Sequence, residues 1–190
     1  MSAPSRTQRL ALAVGVGVVG LVADLWSKAW AWNTMRGVRE PMDVLGTTLQ
    51  FDFSFNTGSA FGMLADVGWA RGFFIAMTVL AIGYVVWVAA TMDTARRRGF
   101  VALGLVGAGA LGNLHDRFVR ADELGRYGVV DFIRINYPWS GGGSWPTFNV
   151  ADVLLLVGVG LLLWEARTAE RGRRAAVAPA ASTADLPSAP

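Results

Sequence analysis

The sequence predicts an α-helical integral membrane protein with four transmembrane helices and a small extracytoplasmic β-element. An apolar composition, four long apolar segments and one segment of alternating polarity carry this prediction. Of 190 residues, 53% are hydrophobic and 16% are charged, whereas a soluble domain has about 25% charged residues. The mean hydropathy is +0.41. This much apolar surface in a chain of one domain favours lipid as its solvent.

The composition also limits the kind of site that the chain can build. It has no cysteine and one histidine, His115, which excludes disulfides and thiolate catalysis and disfavours zinc sites and serine–histidine catalysis. The net charge is +3, but the basic residues stand mostly at the ends of apolar segments, as membrane-flanking residues do. The sequence has no basic stripe with interleaved aromatic residues, so we expect no nucleic-acid partner.

Four apolar segments define the predicted spans, at about residues 10–32, 70–92, 99–117 and 148–166. The second contains an uncharged stretch that is long enough to cross the hydrocarbon core of a bilayer. The first begins like a secretory signal peptide, but Asp24 and Lys28 follow it where a small-residue cleavage site would stand, so we predict a retained helix. Because lipid offers exposed backbone no partner, each span must be helical.

The short loop between the second and third spans sets the predicted orientation. It contains Arg96, Arg97 and Arg98, and short arginine-rich loops stay in the cytoplasm. With four spans, both termini are then cytoplasmic, and residues 33–70 and 118–147 lie outside.

The outer segments and the tail complete the predicted organisation. Residues 47–55 alternate polar and apolar side chains, which predicts a strand within an outer β-region at about residues 38–66. The Ser-Gly-Gly-Gly-Ser stretch at 140–144 predicts a flexible loop between Trp139 and Trp145. Residues 1–166 form the membrane domain, and residues 167–190 are predicted to be a disordered cytoplasmic tail.

Four aspartates carry the functional information. Asp24, Asp116 and Asp152 fall at the outer ends of predicted helices, and Asp131 falls between the third and fourth spans. Ionisable groups at membrane depth are either functional or held in ion pairs. Asp24 stands four residues before Lys28, so that the two can pair on one helix, which favours a structural role.

The remaining three aspartates differ in their neighbours. His115 and Arg117 flank Asp116, and cationic neighbours favour a charged carboxylate suited to a scaffold or a substrate clamp. Asp131 has no adjacent cation, and Asn149 stands three residues before Asp152. Two close carboxylates that are poorly neutralised can share one proton, which is the state that acid–base hydrolysis of a peptide needs.

The residues alone leave more than one function open. A protease would use Asp131 and Asp152 as its catalytic pair. A small proton-coupled transporter or channel subunit would use the aspartates as a proton relay, which predicts acids spread across the membrane rather than near its outer side. A non-enzymatic scaffold packed by its glycines is a third alternative.

Five short motifs distinguish these alternatives. They are Asp24-Leu-Trp-Ser-Lys28, Asn56-Thr-Gly-Ser-Ala-Phe-Gly62, Gly112-Asn-Leu-His-Asp-Arg117, Val129-Val-Asp-Phe132 and Phe148-Asn-Val-Ala-Asp152. In this order, over about residues 10 to 166, the chain resembles bacterial lipoprotein signal peptidase, also called signal peptidase II.

The resemblance implies an aspartic endopeptidase of the bacterial inner membrane without metal or cofactor, whose active site lies near the outer leaflet. Such an enzyme cuts a prolipoprotein before its diacylglyceryl-modified cysteine. Its implied partners are that substrate and membrane lipid, and it is expected to be a monomer. The catalytic residues implied by the motifs are Asp131 and Asp152, the substrate-binding residues are Asn56, Asn113, Arg117 and Asn149, and the supporting residues are Asp24, Lys28 and Asp116.

The chain departs from the family pattern in the segment before Asp131. Residues 120–126 appear as an insert that lengthens an outer loop, and Gly128 stands three rather than four residues before Asp131. These departures affect loops that could gate the site, and they leave the catalytic residues in place.

Overall fold

The computed structural model describes residues 4–58, 69–137 and 143–177, and within these ranges it contains four helices and one three-stranded sheet. The helices are α1 (Arg6–Thr34), α2 (Ala70–Thr91), α3 (Arg97–Val119) and α4 (Val150–Val177), and the strands are β1 (Met42–Leu45), β2 (Leu49–Asn56) and β3 (Val129–Ile135). Each predicted span corresponds to one helix. The second half of the Asn56–Gly62 motif, Trp139, most of the glycine loop at 140–144 and residues 178–190 lie outside the described residues.

The helices alternate in direction, which follows from the contacts at their ends. Arg6 donates hydrogen bonds to the carbonyl oxygens of Ala89 (3.0 Å) and Met92 (3.1 Å), so that the start of α1 lies beside the end of α2. Arg71 donates to the carbonyl oxygen of Arg117 (3.1 Å), so that the start of α2 lies beside the end of α3. The ends of α1 and α3 therefore lie at the same side of the bundle. The start of α4 lies there too, since Ala151 donates to Asp24 of α1 and Asp152 accepts from Asn113 of α3.

Helix α3 lies between α1 and α4, and its glycines permit the close packing. A Cβ atom on Gly104 would collide with the backbone of α1 at Ala13, and one on Gly109 would collide with the backbone of α4 at Ala151. Gly112 faces the Asp24 carboxylate in the same way. Gly107 faces open space, so Gly104, Gly109 and Gly112 form a small-residue packing face on α3.

Two helices, Arg6–Thr34 and Arg71–Thr91, are long and apolar enough to cross a membrane by length and composition. Large apolar side chains are exposed along both, such as Val19, Trp26 and Leu80. Helix α3 is less apolar because glycines replace larger side chains, and α4 carries charged residues near both ends of its apolar stretch.

Helix α4 extends beyond the predicted end of the fourth span. Helix α4 continues through Val177, so the first part of the segment that we predicted to be disordered from residue 167 is helical. The sequence there is rich in alanine, glutamate and arginine, which favour helix. Glu170 and Arg174 also form an ion pair one turn apart.

The sheet packs on the end of α1 and carries Asp131. Its strand order is β1-β2-β3, and both pairs of neighbours are antiparallel. The sequence predicted β2 but not β3, because Val129–Ile135 is a nearly continuous apolar run without alternation. Val130 and Phe132 are buried in a core with Ala31 and Met35 at the end of α1. Trp30 and Phe51 stack edge to face beside them, with ring centroids 5.2 Å apart.

Candidate active site

Asp131 lies in β3, opposite Ser54 of β2, and its side chain is only 5% exposed. One carboxylate oxygen accepts a hydrogen bond from the Asn149 amide (2.6 Å), and the other accepts one from the Asn56 amide (3.2 Å). The strand places Asp131 beside Asn56 because Gly128 lets β3 approach β2 closely. A Cβ atom on Gly128 would lie 2.7 Å from the carbonyl oxygen of Asn56.

Asp152 lies in the first turn of α4, where it forms a capping box with Asn149. The Asn149 side-chain oxygen accepts from the backbone N–H of Asp152 (3.1 Å), and the Asp152 carboxylate accepts from the backbone N–H of Asn149 (3.0 Å). A reciprocal pair of this kind satisfies N–H groups that a helix start leaves without partners. The cap therefore fixes both side chains relative to the helix axis.

Asn149 connects the two aspartates, because its amide donates to Asp131 while its oxygen and backbone hold Asp152. Asn113 of α3 holds Asp152 from the other side, and its amide nitrogen lies 3.0 Å from the carboxylate. We call Asp131 and Asp152, together with these asparagine contacts, the amide-bridged pair. Asn149 is completely buried, whereas Asp152 is half-buried.

A second group of charged side chains lies directly behind this pair. Lys28 is completely buried, and its ammonium lies 2.8 Å from the Asp24 carboxylate and 3.7 Å from that of Asp116. Asp24 also accepts from the backbone N–H of Ala151 in α4 (2.8 Å), and Asp116 accepts from that of Val130 in β3 (3.1 Å). We call Asp24, Lys28 and Asp116 the lysine cluster. It joins α1, α3, α4 and β3 at one point.

The two groups meet at Asn113. The Lys28 ammonium donates to the Asn113 side-chain oxygen (2.7 Å). Because an ammonium has no acceptor, it fixes which end of the amide faces it. The amide nitrogen of Asn113 must then face Asp152, and the lysine cluster thereby orients one arm of the amide-bridged pair.

Arg117 lies at the rim of the site. Its guanidinium donates to the Asn113 carbonyl oxygen (3.1 Å), lies over the Phe74 ring (5.1 Å to the centroid) and interacts electrostatically with Asp131 and Asp152. Among the described residues it forms no direct ion pair with either aspartate. The positive charge of Arg117 is thus close to both aspartates and can stabilise negative charge that develops at the site.

The surroundings of Asp131 change its protonation. The pKa of Asp131 is raised to about 7, chiefly by burial and then by the nearby charge of Asp152, which together outweigh the lowering by the hydrogen bonds from Asn56 and Asn149 and by the charge of Lys28. A carboxyl group with a pKa near neutrality can both hold and release a proton at the pH of a cell. Acid–base chemistry is therefore accessible at this position.

The structure brings together all nine residues that the sequence singled out, but the cationic partners of Asp116 differ in part from what its sequence neighbours indicated. Asp116 pairs with Lys28 and with Arg120 (3.3 Å) rather than with the adjacent Arg117. Neighbours on a helix point about 100° apart, whereas Arg120 stands four residues on and shares the face of Asp116. Sequence reasoning missed Arg120, although this spacing was a signal for it.

The insert at residues 120–126 forms a compact turn. Asp122 accepts from the backbone N–H groups of Leu124 (3.0 Å) and Arg126 (2.9 Å), and Gly125 adopts a left-handed conformation (φ 73°). Glu123 forms an ion pair with Arg36 at the end of α1 (3.2 Å). The insert thus lies against the outer end of α1.

Among the residues that the structure describes, no three His, Cys, Asp or Glu side chains are grouped as metal ligands.

Comparisons with known proteins agree with the resemblance. A family model described as signal peptidase (SPase) II matches residues 16–168. A lipoprotein signal peptidase of Symbiobacterium thermophilum is 34% identical over 84% of this chain and 97% of its own length. One of Mycobacterium tuberculosis is 33% identical over 85% of this chain and 74% of its own length.

Similarity also extends to solved structures. One, described as a bacterial membrane enzyme obtained by the in meso method, has a TM-score of 0.68 at 26% identity and covers 82% of this chain and 87% of its own. A second with the same description has a TM-score of 0.66 at 28% identity. None of these matches supports the transporter alternative.

Proposed function

The chain belongs to the signal peptidase II family, and from that premise we propose that Asp131 and Asp152 are the catalytic pair of this lipoprotein signal peptidase. The protein is a bacterial membrane enzyme, an aspartic peptidase that cleaves the signal peptides of lipoproteins. The observation that carries the assignment is the bridge at Asn149, which holds a buried carboxyl group of β3 and a half-buried one of α4 in one hydrogen-bonded unit.

The proposed reaction is hydrolysis by general acid–base catalysis. One carboxylate removes a proton from a water molecule as its oxygen attacks the scissile carbonyl carbon. The other carboxyl group protonates the nitrogen that leaves as the C–N bond breaks. This reaction needs one protonated and one ionised carboxyl group, and the pKa of Asp131, raised to about 7, allows that group to hold a proton at neutral pH.

We assign the surrounding polar residues to positioning and substrate binding. Asn56, Asn113 and Asn149 hold the two carboxylates in position by hydrogen bonds. Each carboxylate oxygen has a second lone pair that can accept from the attacking water. Arg117, whose charge is near both aspartates, is suited to stabilise the oxyanion that forms on the scissile carbonyl. Asp24, Lys28 and Asp116 support this arrangement without contact with the substrate.

The proposed membrane arrangement has four spanning helices, with both termini in the cytoplasm. The arginines at the start of α3 then face the cytoplasm, and the catalytic pair lies near the outer leaflet with the sheet above it. Residues 1–166 would form the membrane peptidase and the remainder a cytoplasmic tail. A monomer suffices, because all of the proposed catalytic residues come from one chain. The substrate, whose signal helix enters from lipid, is a prolipoprotein cut before its diacylglyceryl-modified cysteine.

Cleavage of a diacylglyceryl-modified prolipoprotein, followed by gel shift, tests the assignment. We expect Asp131→Asn and Asp152→Asn each to lower the rate by at least about 1000-fold, because neither amide can exchange the proton. Glu170→Gln serves as the matched control, since it removes a carboxylate from an exposed position on α4 and should cleave at the wild-type rate. A folded Asp131 or Asp152 variant with near-normal activity would remove that residue from the catalytic pair.

A further inference from the structure

A second charged depression lies at the end of the helix bundle opposite Asp131 and Asp152. The connection between α2 and α3, the first turn of α3 and the last turns of α4 form an open groove of about 690 Å³. The charged residues that line it are Asp93, Arg96, Arg97, Arg98, Glu165 and Arg173. We call it the arginine groove. With four arginines and two carboxylates, it carries a positive charge.

The arginines of this groove are not neutralised within the described part of the chain. None of the four forms an ion pair there, although Arg36, Arg120, Arg126, Arg134 and Arg174 all pair with carboxylates. Asp93 is occupied by the backbone N–H of Ala95 (2.9 Å). The start of α3 has no side-chain cap, so the positive end of the helix adds to the charge of the groove. Both observations favour an anionic ligand.

The groove continues into an apolar surface. Arg98 lies over the ring of Trp164 (5.4 Å to the centroid), and Trp164 is 55% exposed. Val153 and Val157, which stand eleven and seven residues before Trp164 and so lie on the same face of α4, are also exposed. Helix α4 changes from apolar to charged residues at Glu165, directly after Trp164. A ligand in the groove can therefore place negative charge on the arginines and apolar chains on α4 at the same time.

We propose that the arginine groove binds the phosphate headgroup of an anionic phospholipid, whose acyl chains lie along the apolar surface of α4. Basic pockets at the membrane surface bind such headgroups, and each basic residue there contributes about a fivefold factor in affinity. A small soluble anion would use the arginines but not Trp164 and the two valines. The bound lipid would fix the helical extension of α4 to the membrane surface, away from the peptidase site.

Lipid titration followed by native mass spectrometry tests this proposal on the full chain in a neutral detergent. We expect dioleoylphosphatidylglycerol to bind at least about tenfold more tightly than dioleoylphosphatidylcholine. Arg97→Gln/Arg173→Gln should weaken phosphatidylglycerol binding about 25-fold, and each single substitution about fivefold. The control Arg167→Gln/Arg171→Gln removes the same charge from exposed positions of α4 outside the groove, and it should change the affinity less than twofold.

Three results would overturn the proposal. Equal binding of the two lipids would show that the headgroup charge is not recognised. An equal loss in both double variants would indicate diffuse attraction to a basic surface rather than a site. Displacement of the lipid by glycerol phosphate at similar concentration would identify a soluble anion as the ligand. All of these measurements are independent of peptidase activity.

Discussion

The protein holds two groups of carboxylates side by side, and they differ in what surrounds them. In the lysine cluster, Asp24 and Asp116 share the buried ammonium of Lys28. In the amide-bridged pair, Asp131 and Asp152 are held by asparagine side chains. The Lys28 ammonium neutralises negative charge and also fixes the positions of the two carboxylates. The asparagine amides fix the positions of their carboxylates but add no charge, so that the amide-bridged pair can still gain or lose a proton.

This difference gives the lysine cluster a structural role and the amide-bridged pair the proposed catalytic role, although one hydrogen-bond network joins the two groups. A proton can enter or leave the amide-bridged pair without breaking an ion pair, because amides hydrogen-bond to carboxylates without supplying charge. The Asn113 side chain connects the lysine cluster to this pair. The hydrogen bond from Lys28 orients the Asn113 amide, which in turn donates to Asp152. Perturbing each group separately should therefore affect different observables, stability for one and activity for the other.

Lys28→Met should produce the largest effect on stability. Removing one partner of a buried ion pair typically destabilises a protein by about 3–5 kcal/mol, because the remaining charge is left uncompensated. Here two carboxylates, Asp24 and Asp116, would lose their shared cation. Thermal unfolding in detergent would measure the loss.

The double variant Asp24→Asn/Lys28→Met is the control for this mechanism. It removes one of the stranded charges while the Asn side-chain oxygen can still accept from the Ala151 N–H. We expect it to recover part of the stability that Lys28→Met loses. If the double variant is less stable than Lys28→Met, the ion pair is not the reason for the loss.

Asn149 tests the amide-bridged pair, because its two functions can be separated. Asn149→Ser keeps a good N-cap for α4, so we expect stability within about 0.5 kcal/mol of wild type. It removes the amide that donates to Asp131, and we expect cleavage to fall about 100-fold. Asn149→Ala removes the cap as well and should lose about 1 kcal/mol of stability in addition.

Thermal unfolding and the gel-shift assay on the same preparations distinguish the outcomes. If Asn149→Ser cleaves at the wild-type rate, the amide does not position Asp131. If Asn149→Ser and Asn149→Ala are equally destabilised, the capping role is the wrong explanation of the reciprocal hydrogen bonds at the start of α4.

The sequence predicted the elements better than the contacts between them. Long apolar segments identified all four helices, because the length of such a segment is a local property. The motifs singled out aspartates and asparagines that the fold places in hydrogen-bond contact. The contact of Lys28 with Asn113 joins residues 85 positions apart, and that of Asp24 with Ala151 joins residues 127 positions apart. Such contacts depend on how helices pack, which no local pattern encodes.

Two local patterns also failed, for identifiable reasons. Strand β3 is buried on both faces at its start, so it has the continuous apolar run of a buried segment rather than the alternation of an exposed strand. The extension of α4 beyond the predicted span is charged, and we interpreted its composition as disorder although its residues favour helix.

The smallest predicted effect concerns Asn56 and the pH dependence of cleavage. The hydrogen bond that Asn56 donates stabilises the ionised form of Asp131 and so lowers its pKa, which burial and the charge of Asp152 nevertheless raise to a net value of about 7. In Asn56→Ala this stabilisation is absent, and the pKa of Asp131 should rise by about 1 unit. The limb of the pH profile of kcat/KM near neutrality should move to higher pH by the same amount.

Asn136→Ala serves as the control, because Asn136 donates to Thr47 and Gln50 at the far end of the sheet and has no described contact with the pair. A limb that stays in place in Asn56→Ala, or moves to lower pH, would mean that Asp131 does not control the protonation step, and the difference between the amide-bridged pair and the lysine cluster would then be one of geometry alone.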